Sequence, residues 1–202
     1  MSHYVKFTFQ CACADITPFD ALAELNAYRR KLLEQRLMGV DSTGVGFGNV
    51  SVRDGVSKNF YITGSATGGL PELTSTDCVR VVTYDFARNW LRYEGAAIPS
   101  SESLTHAAVY ESDPSTSAII HCHDLGLWAT LLDRVPATSK AVAYGTPEMA
   151  YEIMRLFKVS NVRSEKILVM AGHEGGIVTF GEDLEDAFDV LMRERRESSP
   201  CI

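Results

Sequence analysis

No stretch of this 202-residue chain stays apolar for the length of a bilayer, so no membrane-spanning helix is predicted. Positive charge is also scarce. Nineteen Lys and Arg against twenty-six Asp and Glu leave a formal net charge of -7, which opposes attraction to nucleic acid and to anionic membrane surfaces. Neither is expected as a partner. The N-terminal MSHYVKFTFQ lacks the basic start and continuous apolar run of a secretory signal, which predicts a cytoplasmic protein with reduced thiols. The five cysteines (Cys11, Cys13, Cys78, Cys122 and Cys201) are odd in number and lack the paired spacing of a zinc ribbon or a redox motif. Cys11-x-Cys13, with no second pair, reads as packing rather than metal binding. Repeats and low-complexity linkers are missing too. One domain is therefore expected over residues 1–202, with disorder only in the tail from Glu197 to Ile202.

What is present, 46% hydrophobic and 22% charged residues, is an ordinary globular composition. Residues 4 to 10 alternate as a short strand, and an apolar-periodic segment from Thr17-Pro18 to Gly39 predicts the first helix. Gly44 to Arg53 and Asn59 to Thr63, separated by Asp54-Gly55, read as a hairpin. Further strands are predicted at Val79 to Tyr84, Trp90 to Tyr93, Ser117 to His123, Ile167 to Met170 and Gly176 to Phe180. Helical patterns fit Glu102 to Glu111, Leu125 to Leu132, Pro147 to Phe157 and Leu184 to Arg196. Hairpins and crossovers thus mix in a layered α/β architecture.

The most informative segment is Ala118-Ile119-Ile120-His121-Cys122-His123-Asp124, an apolar strand ending in His-x-His. The side-chain period of a strand is two, so His121 and His123 share a face and Cys122 points to the other. Two imidazoles can then share one ion, and a catalytic zinc site needs a third protein ligand plus an open position. Of the remaining histidines, His173 fits best, because it lies where a β-run enters the turn Ala171-Gly172-His173-Glu174-Gly175-Gly176, whose glycines permit close approach. His106, inside a helical pattern four residues after Glu102, is expected to pack or cap. His3 is expected to be solvated. The competing reading of the pair is two packed, hydrogen-bonded histidines.

Pro99-Ser100-Ser101-Glu102 precedes a helical run. It reads either as a cap with an acidic first turn, or as a general acid/base, Glu102, beside serines that receive an oxyanion. Gly46-Phe47-Gly48-Asn49 and Thr63-Gly64-Ser65-Ala66 stand at the hairpin's ends as turns, or as backbone suited to an anion.

Taken in order, GFGNVSVR, ITGSATG with LTSTD, PSSE, HCH and the late glycine-flanked His173 resemble the class II aldolase/adducin family over about Leu22 to Arg193. The resemblance implies a three-layer α/β/α sandwich with a central mixed, largely antiparallel sheet. It implies one Zn²⁺ per subunit on His121, His123 and His173, with Glu102 as catalytic acid/base and phosphate near Asn49, Ser65, Ser100 and Ser101. Iron, cobalt or manganese suit the same ligands. A ring-like homotetramer is implied likewise. The implied activity is a carbon–carbon lyase: retro-aldol cleavage of a sugar phosphate or related hydroxy-ketone through a metal-stabilised enediolate. Epimerisation, decarboxylation or dehydration of another small carbonyl substrate is the alternative, and a non-catalytic adducin-like scaffold the third. Several positions depart from the family pattern. Gly46 stands where a hydroxyl residue is usual and Ala66 where glycine is, and Glu174 follows His173. The segment after His123 is short, leaving Lys140 as the nearest equivalent of a family tyrosine.

Overall fold

The computed structural model describes residues 6–12 and 14–198. His3, Cys13 and Cys201 lie outside the described residues, as does the expected tail beyond Ser198. Its elements in chain order are β1 (Thr8–Cys11), α1 (Leu22–Glu34), β2 (Gly39–Val40), β3 (Gly46–Phe47), β4 (Asn49–Arg53), β5 (Phe60–Thr63), β6 (Cys78–Asp85) and β7 (Trp90–Glu94). There follow α2 (Ser103–Ser112), β8 (Ala118–His123), α3 (Leu125–Leu131), α4 (Pro147–Val159), α5 (Val162–Glu165), β9 (Ile167–Val169), β10 (Gly176–Gly181) and α6 (Leu184–Ser198). The last helix therefore takes in Glu197 and Ser198, which the sequence had assigned to the tail.

Eight strands form one sheet in the order β1-β7-β6-β5-β4-β8-β10-β9, antiparallel at every pair except β1 with β7. Alternation along the strands sends Phe60, Ile62, Ile119 and Val178 to a core shared with α2 and α4. Val50, Ile120, Cys122 and Ile177 go to a second core under α1, α3 and α6. The result is the expected three-layer α/β/α sandwich. Each buried aliphatic side chain contributes about 1.5–3 kcal/mol, so the two cores hold the central strands β4, β8 and β10 as a rigid base.

The first helix is shorter than its periodicity suggests. It stops because Arg36 adopts a left-handed conformation (φ 58), with Leu37 N–H donating to Leu32 O at 2.9 Å and Arg36 N–H to Leu33 O at 3.0 Å. That is a Schellman closure with arginine where glycine is usual.

Candidate metal centre

On β8, His121 and His123 project toward the α2 side and Cys122 toward the α6 side, as the period of two requires. Asn49 on β4 is registered with His121, and Gly176 on β10 with His123. His173 is held in the β9–β10 turn by its N–H to Met170 O at 3.0 Å and by Gly176 N–H to its own carbonyl at 2.8 Å. A Cβ on Gly176 would lie 2.8 Å from His173 Cδ2 and 3.3 Å from His121 Cε1, so only glycine lets these two rings meet.

The donor atoms of the three imidazoles lie within 4.8 Å of one another, and the group is one that could hold a metal ion. Burial keeps all three neutral, and the neighbouring imidazoles add repulsion at His121 and His173. His123 is pushed down to about 4, His173 to about 3, and His121 well below the ordinary histidine range. The tautomers follow from the partners. His121 Nδ1 contacts Ile177 O at 3.2 Å, and a carbonyl only accepts, so Nδ1 carries the proton. His123 makes a backbone hydrogen bond at Glu174, beside Gly175, whose Cβ would stand 3.3 Å from Nδ1. The Nε2 lone pair of His121 then faces His123 Nε2 at 3.1 Å. The spacing is close to the edge of about 3.3 Å that tetrahedral zinc–nitrogen bonds of about 2.0–2.1 Å require. The donor set fits a zinc-type ion.

Glu102 occupies the N-cap of α2, yet its side chain makes no capping bond. Its Oε2 accepts from Thr105 Oγ1 at 2.6 Å, while Oε1 is buried without a hydrogen-bond partner among the described residues. Burial pushes the carboxyl up to about 7, against the Thr105 hydroxyl and the Lys6 ammonium, so it can hold or release a proton near neutrality. Asn49 Oδ1 is a second buried atom without a partner.

All eight residues picked out from the sequence line one cavity of about 910 Å³: His121, His123, His173, Glu102, Asn49, Ser65, Ser100 and Ser101. The serines are partly committed to structure. Ser65 N–H donates to Ile98 O at 2.8 Å, and Ser100 Oγ accepts from Glu102 N–H at 3.3 Å. Gly46 and Ala66 turn out to be one departure, not two. Ala66 is left-handed (φ 64), and a Cβ at Gly46 would sit 3.1 Å from the Ala66 carbonyl carbon. Lys140 is exposed and does not line the cavity. Tyr144, which the sequence reading passed over, does line it, with its ring centroid 4.3 Å from that of His173. A signal was available: Tyr144 immediately precedes the capped start of α4, where Thr146 Oγ1 accepts from Met149 N–H and Pro147 is the first helical residue. Glu174 is exposed at the cavity rim.

Comparison with known proteins agrees with the fold. Residues 34–193 match the family described as Class II Aldolase and Adducin N-terminal domain, and the chain belongs to that family. It is 29% identical to the L-fuculose phosphate aldolase of Methanococcus maripaludis over 70% of this chain and 76% of that protein. To the 3-oxo-tetronate 4-phosphate decarboxylase of Haemophilus influenzae it is 30% identical over 71% of each. A solved L-fuculose 1-phosphate aldolase shares the fold, with a TM-score of 0.68 and 24% identity over 91% of this chain and 84% of that one. Among the described residues no helix is long and apolar enough to cross a membrane.

Proposed function

We propose that this chain is a zinc-dependent lyase that cleaves a carbon–carbon bond of a small hydroxy-ketone, a sugar phosphate or a relative of one, in the retro-aldol sense. The observation that carries the reading is the three-imidazole cluster, with the Nε2 atoms of His121 and His123 3.1 Å apart, in the cavity that also receives the unpartnered Oε1 of Glu102. His121, His123 and His173 would hold the ion, whose chemistry is to polarise a carbonyl oxygen as a Lewis acid. Glu102 Oε1 is the atom we assign to take the substrate hydroxyl proton as the bond breaks and to return a proton to the carbon. Thr105 holds Oε2, which fixes the carboxyl's orientation through the transfer. Asn49, Ser65, Ser100 and Ser101 are assigned to substrate oxygens, including a phosphate where one is carried.

Decarboxylation is the second reading, favoured by the Haemophilus influenzae relative and by the altered Gly46–Ala66 loop. Epimerisation or dehydration of another carbonyl would use the same proton carrier. A non-catalytic scaffold has no need of a buried carboxyl left half-partnered at an energetic cost. We read the protein as a single cytoplasmic domain assembled into a homotetramer, on the strength of the family resemblance.

Metal analysis of the purified and zinc-reconstituted protein, with parallel assays on ketose 1-phosphates, non-phosphorylated hydroxy-acids and 3-oxo acids, tests this. One zinc per chain with aldehyde release is the expected result. Substoichiometric metal after reconstitution removes both lyase readings, whereas carbon dioxide release without aldehyde selects the second.

A further inference from the structure

The lyase reading uses one end of the cavity and leaves the other without a task. At that other end stand Arg36, at the close of α1, and Arg195, in the last turn of α6, lining the same cavity of about 910 Å³ as the histidines. The two ends are joined through the backbone: His123 N–H donates to Leu37 O at 2.9 Å, so the residue after Arg36 is bonded to a member of the histidine cluster. A cavity of this size lies at the upper end of the range of about 300–1,000 Å³ that holds a drug-sized ligand, more than a three-carbon fragment needs.

Arginine is a poor choice for position 36 on structural grounds. Its φ of 58 is one that glycine adopts freely and a residue with a Cβ only under strain. Among the described residues its guanidinium has no ion-pair or hydrogen-bond partner, so no contact of the side chain offsets that strain. Strain kept at a residue that lines a cavity points to a use for the side chain. Arg195 is aligned beside it. Its Nη1 donates to Gln35 Oε1 at 2.5 Å, which docks the α6 guanidinium on the residue preceding Arg36. Two carboxylates line this end as well, and both are committed to their own turns: Asp41 Oδ1 accepts from Thr43 N–H at 2.8 Å and Val45 N–H at 3.0 Å, and Asp124 Oδ1 from Leu127 N–H at 3.0 Å.

We propose that Arg36 and Arg195 form a second anion subsite, which takes a phosphate on the part of the carbon chain remote from the reacting carbonyl, so that the fragment released as aldehyde is itself phosphorylated. The inference rests on the lyase reading and deepens it. In that reaction the substrate hydroxyl gives its proton to Glu102 and its carbon becomes the aldehyde, while the electron pair of the broken bond stays with the other fragment. Asn49 is registered with His121 and Ser100 adjoins Glu102, so those residues serve oxygens next to the reacting carbons. The arginines, on the far side of Leu37, serve the distal end. A guanidinium is a planar fork that meets phosphate oxygens two at a time, and two guanidiniums match the charge of a phosphate dianion.

The test is calorimetric titration of zinc-reconstituted protein with D-erythrose 4-phosphate, whose phosphate is remote from its carbonyl, and with dihydroxyacetone phosphate, whose phosphate is next to it. Both are dianions, so general attraction to positive charge cancels in the comparison. Arg36→Gly should weaken erythrose 4-phosphate by about 10- to 100-fold, the loss expected for one charge-assisted contact, and leave dihydroxyacetone phosphate unchanged. In urea the same variant should be at least as stable as the parent, because glycine is the residue a left-handed helix end favours. Arg195→Gln should weaken erythrose 4-phosphate in the same direction, and Arg36→Lys should retain most of the affinity. Erythrose 4-phosphate affinity that survives Arg36→Gly, or an equal loss for both ligands, overturns the subsite. Metal content measured on the same samples separates the two claims. Protein that retains no zinc refutes the lyase reading and this one with it, whereas zinc-loaded protein without the discrimination refutes this one alone.

Discussion

Two groups of buried histidine lie on the same side of the sheet and end differently. His106, on α2, is fully buried, with Nδ1 at 2.7 Å from Ser51 Oγ, which in turn sits 2.8 Å from the Tyr110 hydroxyl. His121 and His123, on β8, are pinned by backbone instead. Hydroxyls rotate and can give or take a proton, so Ser51 matches His106 Nδ1 in either tautomer, while Nε2 stays buried without a hydrogen-bond partner among the described residues. Carbonyls only accept. The Ile177 carbonyl turns the Nε2 lone pair of His121 inward, where it faces His123 Nε2 at 3.1 Å. His106 stands alone inside the core, whereas the pair on β8 joins His173 in a group that could hold a metal ion. Burial alone does not tell them apart, since it pushes His106 down to about 3 and His123 to about 4.

The sharpest way to break that distinction is to remove one member of each group. His123→Ala should abolish zinc binding and reduce lyase turnover to background, while His106→Gln should keep one zinc per chain. Elemental analysis of the two variants decides it, and metal retained by the first but lost by the second would reverse the assignment. Glu102→Gln comes next. It should keep the metal and lower kcat by about 10²- to 10⁴-fold, the ordinary range for loss of a positioned acid/base, as single-turnover kinetics would record. Turnover surviving at more than a tenth of the parent value would remove Glu102 from the chemistry. Gly176→Ala asks whether the space between His173 and His121 matters. Its Cβ would come within 2.8 Å of His173 Cδ2, and zinc affinity should fall by about 10- to 100-fold in competition with a chelating dye.

The histidine pair was legible in the sequence because strand parity needs no tertiary information: Ile120 and Cys122 face one core, and His121 and His123 the other way. His173 and Glu102 were legible only through their neighbours. A serine-serine-glutamate run before a helix is locally indistinguishable from a cap; in the structure the Glu102 carboxylate accepts from Thr105 and makes no capping contact. Lys6 and Tyr144 were not legible at all. They meet because β1 joins the sheet edge as the parallel partner of β7 and because Asn89 bridges two distant segments. No local pattern encodes that pairing. The end of α1 was misjudged for a related reason: periodicity continues to Gly39, but Arg36 takes the left-handed position three residues earlier.

The smallest effect is the most discriminating about the two histidine groups, because it reads them without activity. In the metal-free protein His106, His123 and His173 have folded values of about 3, 4 and 3, below the 6.5 of an unfolded histidine. Each therefore contributes stability that is fully present above pH 6.5 and is lost as the pH falls toward those values. Glu102 works the other way. Its folded value of about 7 exceeds the ordinary 4.5, so its contribution is present below pH 4.5 and lost as the pH rises through 7. Between pH 4.5 and 6.5 the imidazoles outnumber the carboxyl, and the metal-free protein should destabilise on acidification. One group accounts for about 1.4 kcal/mol per pH unit. His106→Gln should make the slope shallower by that amount, in urea unfolding of the metal-free protein across this window. An unchanged slope would mean that His106 already takes up its proton in the folded state, and the contrast between a lone core imidazole and a metal-seeking pair would lose its first half.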